Sequence, residues 1–576
     1  MSFKVIGINI CETRDGIKLD DGGCALIEDG IPRIAIAEER LSRKKHDGGF
    51  IRSLDYCLKS TKNRLEDIDA FVFSNCCDEP LDKVFLKKLL KKYNIDIPDE
   101  KIIICPSHHL SHAYSAFLVS PFKKAIILVA DNEGNILEKR YKDYWLNRLE
   151  RTSFYLGENT KIKLLGRLHD GFKELGIGAA YNYFTQGIGF KSFHDAGKTM
   201  ALAAYGKGKF KNIEVFDKNF KCLLKHEFKN RYEKIGKVAR NFISKKAGIN
   251  IDKTPRSIKY PSELQKEMTY LIQAELEKVM INLIKLLIKK TDIRKLCIAG
   301  GVGLNCVANY KILTETDIED IFIQPAAGDT GQCLGNALYG YYHYNPKKKI
   351  KREYIMDNVF LGKEYTEKEI RESLKKYSAK LVIKRSKNYH KEVVKLISQG
   401  KIIGWFHGKS EFGPRALGNR SILANPQNPE TKKILDKKIK FREPYRPYAP
   451  SVLEEEAKHY FKLDKPSPFM LLAVPVKQEK RELIPAVIHV DGTSRIQTVN
   501  AKQNANFYKL IKEFKKLTGI PVLLNTSFNK ADEPIVESPE DAIKCFLDTN
   551  IDYLSMKDYI ISKKLSCIAS RGCFQD

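Results

Sequence analysis

Residues 297–312, CIAGGVGLNCVANYKI, and residues 321–342, IFIQPAAGDTGQCLGNALYGYY, follow one pattern of apolar strand, glycine-containing turn and helix. Strands that alternate with helices in this way predict an α/β fold. The opening runs FKVIGINI and GGCALIEDGIPRIAIAEERL, with a turn at EDG, predict an antiparallel hairpin meander. An amphipathic segment of about 30 residues, from PSELQKEM to LLIKKT, predicts one long helix ahead of the first quoted strand.

The chain also shows where one domain ends and the next begins. The charged, glycine-poor stretch NPKKKIKREYIMDN, residues 345–358, is the best candidate linker. Beyond it the strand-like runs LVIKR, KIIGWFHG and PVLLNTSF predict a second α/β unit. No internal repeat or low-complexity segment is recognisable. We therefore expect a first domain over residues 1–345, a linker over 346–358 and a second domain over 359–576.

The net charge limits the classes of partner. The chain has 576 residues and a formal net charge of +29, and a chain of this length is expected to divide into domains. Its lysines are spread through runs such as KKLLKKYN, NPKKKIKRE and TKKILDKKIK and are not gathered on one segment. This distribution favours anionic small molecules such as nucleotides, and nucleic acid is not an expected partner.

Hydropathy and cysteine usage indicate the compartment. No run approaches the roughly 20 apolar residues that cross a bilayer, and the start, MSFKVIGINI, is strand-like and unlike a signal sequence. The 13 cysteines form no CxxC pair, and neither Cys76 with Cys77 nor Cys567 with Cys573 has the spacing of a zinc site. We expect a cytoplasmic protein with reduced thiols and no membrane partner.

One histidine-rich segment suggests a metal. In SHHLSHA, His108 and His112 are four residues apart, so on a helix both imidazoles project from one face. His109 would point about 100° away. Asp329, in PAAGDTGQ, follows a strand and lies among glycines that let the backbone approach a ligand. Two histidines and a carboxylate with open positions are typical of a catalytic metal site, and an ordinary helix surface is the alternative.

A second group of residues suggests anion binding by the backbone. Several turns follow strand ends, where exposed N–H groups can hold a phosphate without side-chain charge. Neither the dinucleotide pattern GxGxxG nor a Walker GxxxxGK[ST] occurs, so a Rossmann dehydrogenase or a P-loop enzyme is not supported. The candidate nucleotide-binding residues of the first domain are Asn9, Asp131, Gly134, Gly300, Gly301, Gly303 and Asn305.

A third group lies in the second domain, in GWFHGKSEFGPRALGNRSILANP, FREPYRPYAPS, HVDGTSRIQTV and LNTSFN. Arginines and lysines among glycine and proline turns are suited to hold a phosphorylated or carboxylated ligand in fixed geometry. Surface salt bridges are the alternative for any single arginine. The candidate residues are Lys409, Arg415, Arg420, Arg442, Arg446, Arg495, Asn525 and Ser527.

Together these segments resemble a known family. The order SRKKH, HHLSHA, AGGVGLN, PAAGDTG, FGPRALGNRSILA, KFREPYRPYAPS, HVDGTSRIQTV and LNTSFN is similar to the carbamoyltransferases of the NodU, cephalosporin and aminoglycoside O-carbamoylation type. The resemblance covers nearly the whole chain. It implies a two-lobed Kae1-like domain of the actin and Hsp70 superfold, followed by an α/β YrdC-like domain.

The resemblance also implies an activity. The YrdC-like domain would make carbamoyl-adenylate from carbamoyl phosphate and ATP, and the Kae1-like domain would transfer the carbamoyl group to a hydroxyl of a small molecule or sugar. The metal held by His108, His112 and Asp329 is iron(II) in relatives, and this ligand set also suits Mn(II) or Zn(II). The acceptor and the oligomeric state stay open.

Two departures from the family pattern fall near the expected acceptor pocket. Relatives carry a histidine in the first hairpin where this chain has Asp20, which lies 25 residues before Lys45. We expect Asp20 and Lys45 to act in catalysis, with Asp20 as a base or hydrogen-bond acceptor; an ordinary hairpin-turn residue is the alternative. The family turn DGxGE is DNEGN here, and residues 137–150 are interpreted as an insertion beside it.

Two other functions were weighed. A tRNA-modifying threonylcarbamoyl-type transferase shares the domain types and would suit the positive charge, but FGPRALGNRS and KFREPYRPYAPS belong to the O-carbamoyltransferase pattern. A nucleotide-binding regulatory protein without transfer activity is the other alternative, and only Asp20 argues for it.

Overall fold

The computed structural model describes residues 2–13, 17–18, 20–75, 81–140, 147–172, 174–224, 235–249, 251, 257–347 and 350–564. The chain divides into two compact units, the first comprising Met1–Ser42 and His46–Met356 and the second Arg43–Lys45 and Asp357–Asp576. The cysteine pairs weighed as zinc ligands, Cys76 with Cys77 and Cys567 with Cys573, lie outside the described residues.

The first unit contains two five-stranded sheets with the same topology. One has the order β3-β2-β1-β4-β5 and the other the order β10-β9-β6-β11-β12. In each, the first three strands in chain order pair antiparallel and the last two run parallel to the first. This repeated sheet is the one expected of an actin and Hsp70-like two-lobed domain.

The strands of these two sheets, and a small ribbon formed by β7 and β8, have the following bounds: β1 Lys4–Ile10, β2 Gly23–Glu28, β3 Ile31–Ala37, β4 Ala70–Asn75, β5 Ile102–Ile104, β6 Lys124–Ala130, β7 Ile136–Glu138, β8 Arg148–Leu149, β9 Thr152–Glu158, β10 Lys161–Leu168, β11 Lys295–Ala299 and β12 Asp320–Ile323.

Ten helices accompany these strands within the described ranges. The predicted long helix, α8, begins at a capping box in which Ser262 and Gln265 satisfy each other's backbone N–H groups. None of the helices in the described part of the chain has the length and apolar content needed to cross a membrane. The bounds are α1 Glu38–Ser42, α2 Ile51–Thr61, α3 Lys83–Lys92, α4 His108–Phe117, α5 Ile177–Ile188, α6 Ala196–Ala203, α7 Ile235–Ala247, α8 Glu263–Thr291, α9 Cys306–Glu315 and α10 Gln332–Tyr344.

The second unit is built on one mixed sheet of eight strands in the order β13-β22-β21-β14-β15-β20-β16-β19, beside a ribbon of β17 and β18. The strands are β13 Leu381–Arg385, β14 Ile403–Phe406, β15 Arg420–Ala424, β16 Ala449–Leu453, β17 Ala473–Pro475, β18 Thr493–Arg495, β19 Gln497–Val499, β20 Val522–Ser527, β21 Tyr553–Met556 and β22 Tyr559–Lys563. The helices are α11 Glu367–Lys376, α12 Tyr389–Ser398, α13 Glu430–Leu435, α14 Glu454–Tyr460, α15 Ala505–Thr518 and α16 Pro539–Asp548.

Glycines let α10 approach both a strand and a helix in the first unit. A Cβ at Gly335, in the first turn of α10, would lie 1.9 Å from the carbonyl oxygen of Ser111 on α4. A Cβ on Gly7 of β1 would lie 2.0 Å from the carbonyl oxygen of Cys333. No other residue type fits such separations. The start of α10 is therefore held directly against α4 and β1.

We predict that Gly335→Ala destabilises the first unit although alanine is the better helix former. Overpacking of this kind typically costs about 1–3 kcal/mol, and α10 would have to move away from α4. Gly197→Ala on α6 is the matched control, because nothing lies within 4 Å of a Cβ there. It should be neutral or stabilise by up to about 1 kcal/mol. Urea unfolding of both variants measures the difference, and equal stability for the two would contradict the packing argument.

Candidate active site

Helix α4 carries two histidines on one buried face. Ser107 caps the helix, and its Oγ accepts a hydrogen bond of 3.0 Å from the Leu110 N–H. The side chains of His108 and His112 are fully buried, and their ring centroids lie 4.9 Å apart. The four-residue spacing therefore brings both imidazoles to one place, as the helical periodicity requires.

Two carboxylates meet this histidine pair. Asp329 Oδ1 lies 3.4 Å from His108 Nε2 and 3.3 Å from His112 Nε2. Asp131 Oδ2 lies 3.3 Å from His112 Nε2 and 3.9 Å from His108 Nε2. One potential ligand atom from each of these four residues lies within 4.8 Å of the others. The structure thus brings together the three residues predicted as a metal set and adds Asp131.

Sequence reasoning assigned Asp131 to a phosphate-binding turn and missed its place beside the histidines. The position of Asp131 directly after β6 could have indicated that it lies beside the histidines. Strands β6, β11 and β12 run parallel, so their carboxyl ends meet at one edge of the sheet. Asp329 follows β12 at that same edge, and two carboxylates that follow parallel strands of one sheet are expected to lie close together.

Burial and charge act in opposite directions within this cluster. Burial disfavours the charged form of His108, but Asp329 and Asp131 raise its pKa well above the ordinary value. The same carboxylates raise the pKa of His112 against the effect of burial. Although burial opposes it, the histidines hold the pKa of Asp131 at about 2 and that of Asp329 well below its ordinary value. Both carboxylates are therefore ionised at neutral pH.

His109 faces away from the cluster. Its Nδ1 lies 2.7 Å from Ser153 Oγ on β9. Burial lowers the pKa of His109 to about 4, so its ring is neutral at physiological pH. Only two of the three histidines in the segment take part in the cluster.

The buried residue Glu150 fixes the start of α4. Its Oε1 accepts a hydrogen bond of 2.6 Å from Ser107 Oγ, and its Oε2 accepts one of 3.2 Å from the His109 N–H. The His108 N–H donates to Asn135 Oδ1 at 2.7 Å. Three of the four unsatisfied N–H groups at this helix start therefore have side-chain partners. Glu150 lies in the segment interpreted as an insertion, and no sequence signal indicated its role.

The glycine turns predicted to bind phosphate surround the cluster. Gly300 has φ +85°, and a Cβ there would lie 2.3 Å from a carbonyl oxygen of β6. A Cβ on Gly301 would lie 3.2 Å from Asp131 Oδ1, and one on Gly134 would lie 3.1 Å from His108 Cδ2. Glycine backbone therefore borders the cluster on two sides. The absence of side chains there lets a ligand approach the backbone closely.

The other predicted nucleotide-binding residues of this unit make internal contacts. Asn9 is fully buried, and its Nδ2 donates to the carbonyl oxygens of Asp21 at 2.8 Å and Asp329 at 3.1 Å. Asn305 caps α9, with Oδ1 accepting a 3.0 Å hydrogen bond from an N–H of its first turn. A Cβ on Gly303 would lie 3.2 Å from apolar side chains. Asn9 thus ties the loop at Asp21 to the turn at Asp329.

Asp20 lies close to two histidines, His46 and His194. Neither histidine was predicted from the sequence as a site residue. Asp20 Oδ1 lies 3.4 Å from His194 Nε2. The ring of His194 stacks on that of His46, with centroids 3.5 Å apart and planes inclined by 6°. His46 Nδ1 lies 3.0 Å from Asp21 Oδ1. His46 ends the quoted segment SRKKH, which was the available signal.

A basic cluster in the second unit centres on Lys440, the first residue of the segment KFREPYRPYAPS. Its Nζ donates to Asn529 Oδ1 at 2.6 Å and lies 3.3 Å from Ser527 Oγ. Burial lowers the pKa of Lys440 to about 7. Neighbouring cations act in the same direction; they are Arg442, Arg446 and Lys45. Lys440 was not among the predicted residues although its segment was.

Lys45, predicted with Asp20 as a catalytic residue, directly precedes His46 in the sequence. It belongs to the second unit, where it is close enough to Lys440 for its charge to affect that pKa. A lysine in this position adds positive charge beside Lys440.

Two predicted arginines lie on the loop after Lys440 and are held in fixed positions. Arg442 Nε donates to Asp436 Oδ1 at 3.0 Å, and its guanidinium lies 3.8 Å from the centroid of the Tyr448 ring. Arg446 Nη1 donates to Glu443 Oε2 at 3.4 Å. Burial and the charge of Arg442 lower the pKa of Arg446. Such closely spaced cations favour an anionic ligand.

The remaining predicted residues of the second unit lie in three regions. Arg420 on β15 is fully buried, donates from Nη1 to the carbonyl oxygen of His407 at 2.8 Å, and stacks on a phenylalanine ring. Because β15 pairs with β20, this strand lies beside Asn525 and Ser527. Lys409 is exposed and Arg415 half-buried in the β14–β15 connection, and Arg495 ends β18 in the separate ribbon.

The chain matches two family models that together span most of its length. Residues 13–99 and 81–338 match the model described as carbamoyltransferase N-terminus. Residues 394–563 match the model described as carbamoyltransferase C-terminus.

Individual relatives agree with these matches. The nodulation protein NolNO of Sinorhizobium fredii is 34% identical over 95% of this chain and 79% of its own length. The nodulation protein NolO of Bradyrhizobium diazoefficiens is 34% identical over 80% of this chain and 79% of its own. Among solved structures, full-length HypF in its phosphate- and nucleotide-bound form aligns distantly, with 11% identity over 60% of this chain and 56% of its own and a TM-score of 0.33.

The family models and the identity to NolNO over nearly the whole chain show that this protein belongs to the carbamoyltransferase family and is a transferase enzyme.

Proposed function

We propose that this chain is an ATP-dependent carbamoyltransferase with one partial reaction in each domain, residues 1–345 and 359–576. The second domain makes carbamoyl-adenylate from carbamoyl phosphate and ATP, and the first transfers the carbamoyl group to a hydroxyl of a small molecule or sugar. The observation that carries the proposal is the buried convergence of His108, His112, Asp131 and Asp329 in a member of this family.

The four-residue cluster fits a divalent metal. Asp131 Oδ2 is buried and has no hydrogen-bond partner among the described residues, although two imidazole nitrogens lie within ion-pair distance. A cation would satisfy that oxygen and neutralise two buried carboxylates. Two nitrogens and two oxygens suit Fe(II), which we favour from the family resemblance, and also Mn(II) or Zn(II). When bound, the metal would supply positive charge at the adenylate phosphate.

The residues around the cluster have separate tasks in the proposal. The turns at Gly134, Gly300 and Gly301 offer backbone N–H groups to the adenylate phosphate. Asp20 accepts the proton of the attacking hydroxyl as its oxygen bonds to the carbamoyl carbon. The bond between that carbon and the phosphate oxygen breaks, and AMP leaves with the electron pair. Carbamoyl ester, AMP and one proton are the balanced products.

The basic residues of the second domain have the charge that adenylation needs. Lys440, Arg442 and Arg446 lie together, and a planar guanidinium binds phosphate or carboxylate through two parallel hydrogen bonds. We propose that they hold ATP and carbamoyl phosphate with the cations of the β14–β15 connection. The others assigned to this site are Lys409, Arg415, Arg420, Arg495, Asn525 and Ser527.

The metal assignment predicts different outcomes for neighbouring histidines. His112→Ala and Asp131→Asn should each lower bound metal, measured by elemental analysis of the purified protein, because each removes one ligand of four. His109→Gln should keep the metal, since His109 faces Ser153. Pyrophosphate release in the second domain should be largely retained in all three variants. Equal metal content in the wild type and His112→Ala would refute the assignment.

The adenylation step predicts pyrophosphate release that requires both ATP and carbamoyl phosphate. Arg415→Ala should slow it roughly tenfold to a hundredfold, since loss of one charge-assisted contact costs about 1.5–3 kcal/mol. Lys502→Ala is the control, because Lys502 is a second-unit cation whose side chain is 85% exposed. Release that occurs without carbamoyl phosphate, or an unchanged rate in Arg415→Ala, would contradict the proposal.

The lowered pKa of Lys440 predicts that the protein takes up a proton when ATP binds. Burial lowers the pKa of Lys440 to about 7, so at about pH 8 the free protein holds it mostly neutral. A bound phosphate raises that pKa, and Lys440 gains a proton. Calorimetry in buffers of different ionisation enthalpy should detect the uptake at about pH 8 and not at about pH 6, where Lys440 is already charged. Lys440→Met should abolish it; the same uptake in that variant would exclude Lys440.

A further inference from the structure

We propose that His194 is a positioning residue that holds the Asp20 carboxylate in place as the proton acceptor of the transfer step. The inference rests on the function proposed above and adds to it the residue that orients the base. Nothing in the sequence motifs drew attention to His194, which lies in a short 3-10 turn over Phe193–Asp195.

The contact between the two residues is direct and partly open to solvent. His194 Nε2 lies 3.4 Å from Asp20 Oδ1, and the two side chains are 23% and 28% exposed. With the proton on Nε2, His194 faces one carboxylate oxygen as a donor and restricts how the carboxylate can turn. An acceptor molecule can reach a pair with this degree of exposure, whereas the fully buried His109 is closed to it.

One face of the His194 ring packs against another imidazole. The ring lies parallel to the ring of His46 at a centroid separation of 3.5 Å. His46 is fixed at two points, by Asp21 Oδ1 at 3.0 Å from its Nδ1 and by Glu39 Oε2, which accepts from its backbone N–H at 3.0 Å. The arrangement is two stacked imidazoles, each paired with one of two consecutive aspartates. Such a stack restricts rotation of His194.

The loop that carries Asp20 is also anchored. A Cβ on Gly48 would lie 2.6 Å from the Asp20 carbonyl oxygen, so the two backbone segments touch. One residue later, the Asp21 carbonyl oxygen accepts the 2.8 Å hydrogen bond from Asn9, whose amide also holds the Asp329 carbonyl. Asp20 is therefore kept at a set position relative to the metal-binding cluster of the same unit.

The electrostatic surroundings explain why Asp20 needs a donor. Burial and four neighbouring carboxylates raise its pKa well above the ordinary value. A proton acceptor must be ionised before it can act, and a hydrogen bond to the charged form favours that form. His194 is the imidazole donor that faces this carboxylate, with His46 behind it. The groups that raise the pKa are Asp329, Asp21, Glu133 and Asp131.

The proton balance is simple. The attacking hydroxyl loses its proton to Asp20 while its oxygen forms the bond to the carbamoyl carbon, and AMP departs with the electrons of the broken bond. Asp20 then returns the proton to solvent. His194 keeps its own proton throughout, so it acts through Asp20 and not on the substrate.

The test uses the full-length holoenzyme with water and glycerol as probe acceptors and follows AMP formation in single turnover. His194→Phe keeps the ring over His46 and removes the donor. We expect transfer to fall by about tenfold to a hundredfold, as misplaced catalytic groups do, with unchanged pyrophosphate release and metal content. The rising limb of the pH–rate profile should move to higher pH, because the charged form of Asp20 has lost a hydrogen bond.

Two further variants separate positioning from general damage. His194→Gln restores an N–H donor and should recover much of the rate. In the Asp20→Asn background, His194→Phe should slow transfer no further, because residues that act through one another are not additive. His459→Phe, an exposed histidine on α14, is the control.

Each remaining outcome has a definite meaning. Unchanged transfer and an unchanged pH limb in His194→Phe, or additive losses in the double variant, would overturn the positioning role. A wild type that releases no pyrophosphate with carbamoyl phosphate, or forms AMP no faster than free carbamoyl-adenylate decays, would instead overturn the proposed function.

Discussion

The close approach of α10 to α4 is the constraint on which the rest of the first unit depends. At Gly335 the two helices are so near that a single methyl group would overlap the Ser111 carbonyl oxygen. Ser111 Oγ also donates to the Gln332 carbonyl oxygen at 3.0 Å. Asp329 lies one turn before Gln332, so this contact fixes the distance between Asp329 and the histidines of α4. Backbone packing therefore sets the geometry of the chemistry.

The two units contain buried clusters of different charge. In the first, buried carboxylates and imidazoles converge, and the carboxylates stay ionised because the imidazoles favour the charged form. In the second, a buried lysine and two arginines lie together, and the lysine pKa falls to about 7. In the proposed function, a bound phosphate would restore its charge. The first cluster therefore suits the metal proposed there, and the second suits a phosphorylated substrate.

At the positions where this chain departs from the family pattern, the side chains contact residues from other parts of the same unit. Asp20 stands where relatives carry a histidine, and His194 faces it from a distant part of the chain. The turn DNEGN ends in Asn135, which accepts a hydrogen bond from the first N–H of α4, while Glu150 binds the next. Both residues of each pair lie in the same unit, so local rearrangement is enough to accommodate the changes.

The sequence by itself determined the α/β class, the approximate positions of some strands, the family and the pairing of His108 with His112, because periodicity and spacing act over a few residues. The position of Asp329 after a strand and among glycines also indicated it as a third ligand. The resemblance implied a two-lobed domain, but no repeated pattern of residues indicated that the first unit contains two sheets of the same topology. Only the tertiary structure joined Asp131 to the histidines, Glu150 to the helix start, Lys45 to Lys440 and His194 to Asp20. These pairs are from 19 to 395 positions apart in the sequence, and only the packing of strands and helices decides which distant side chains meet.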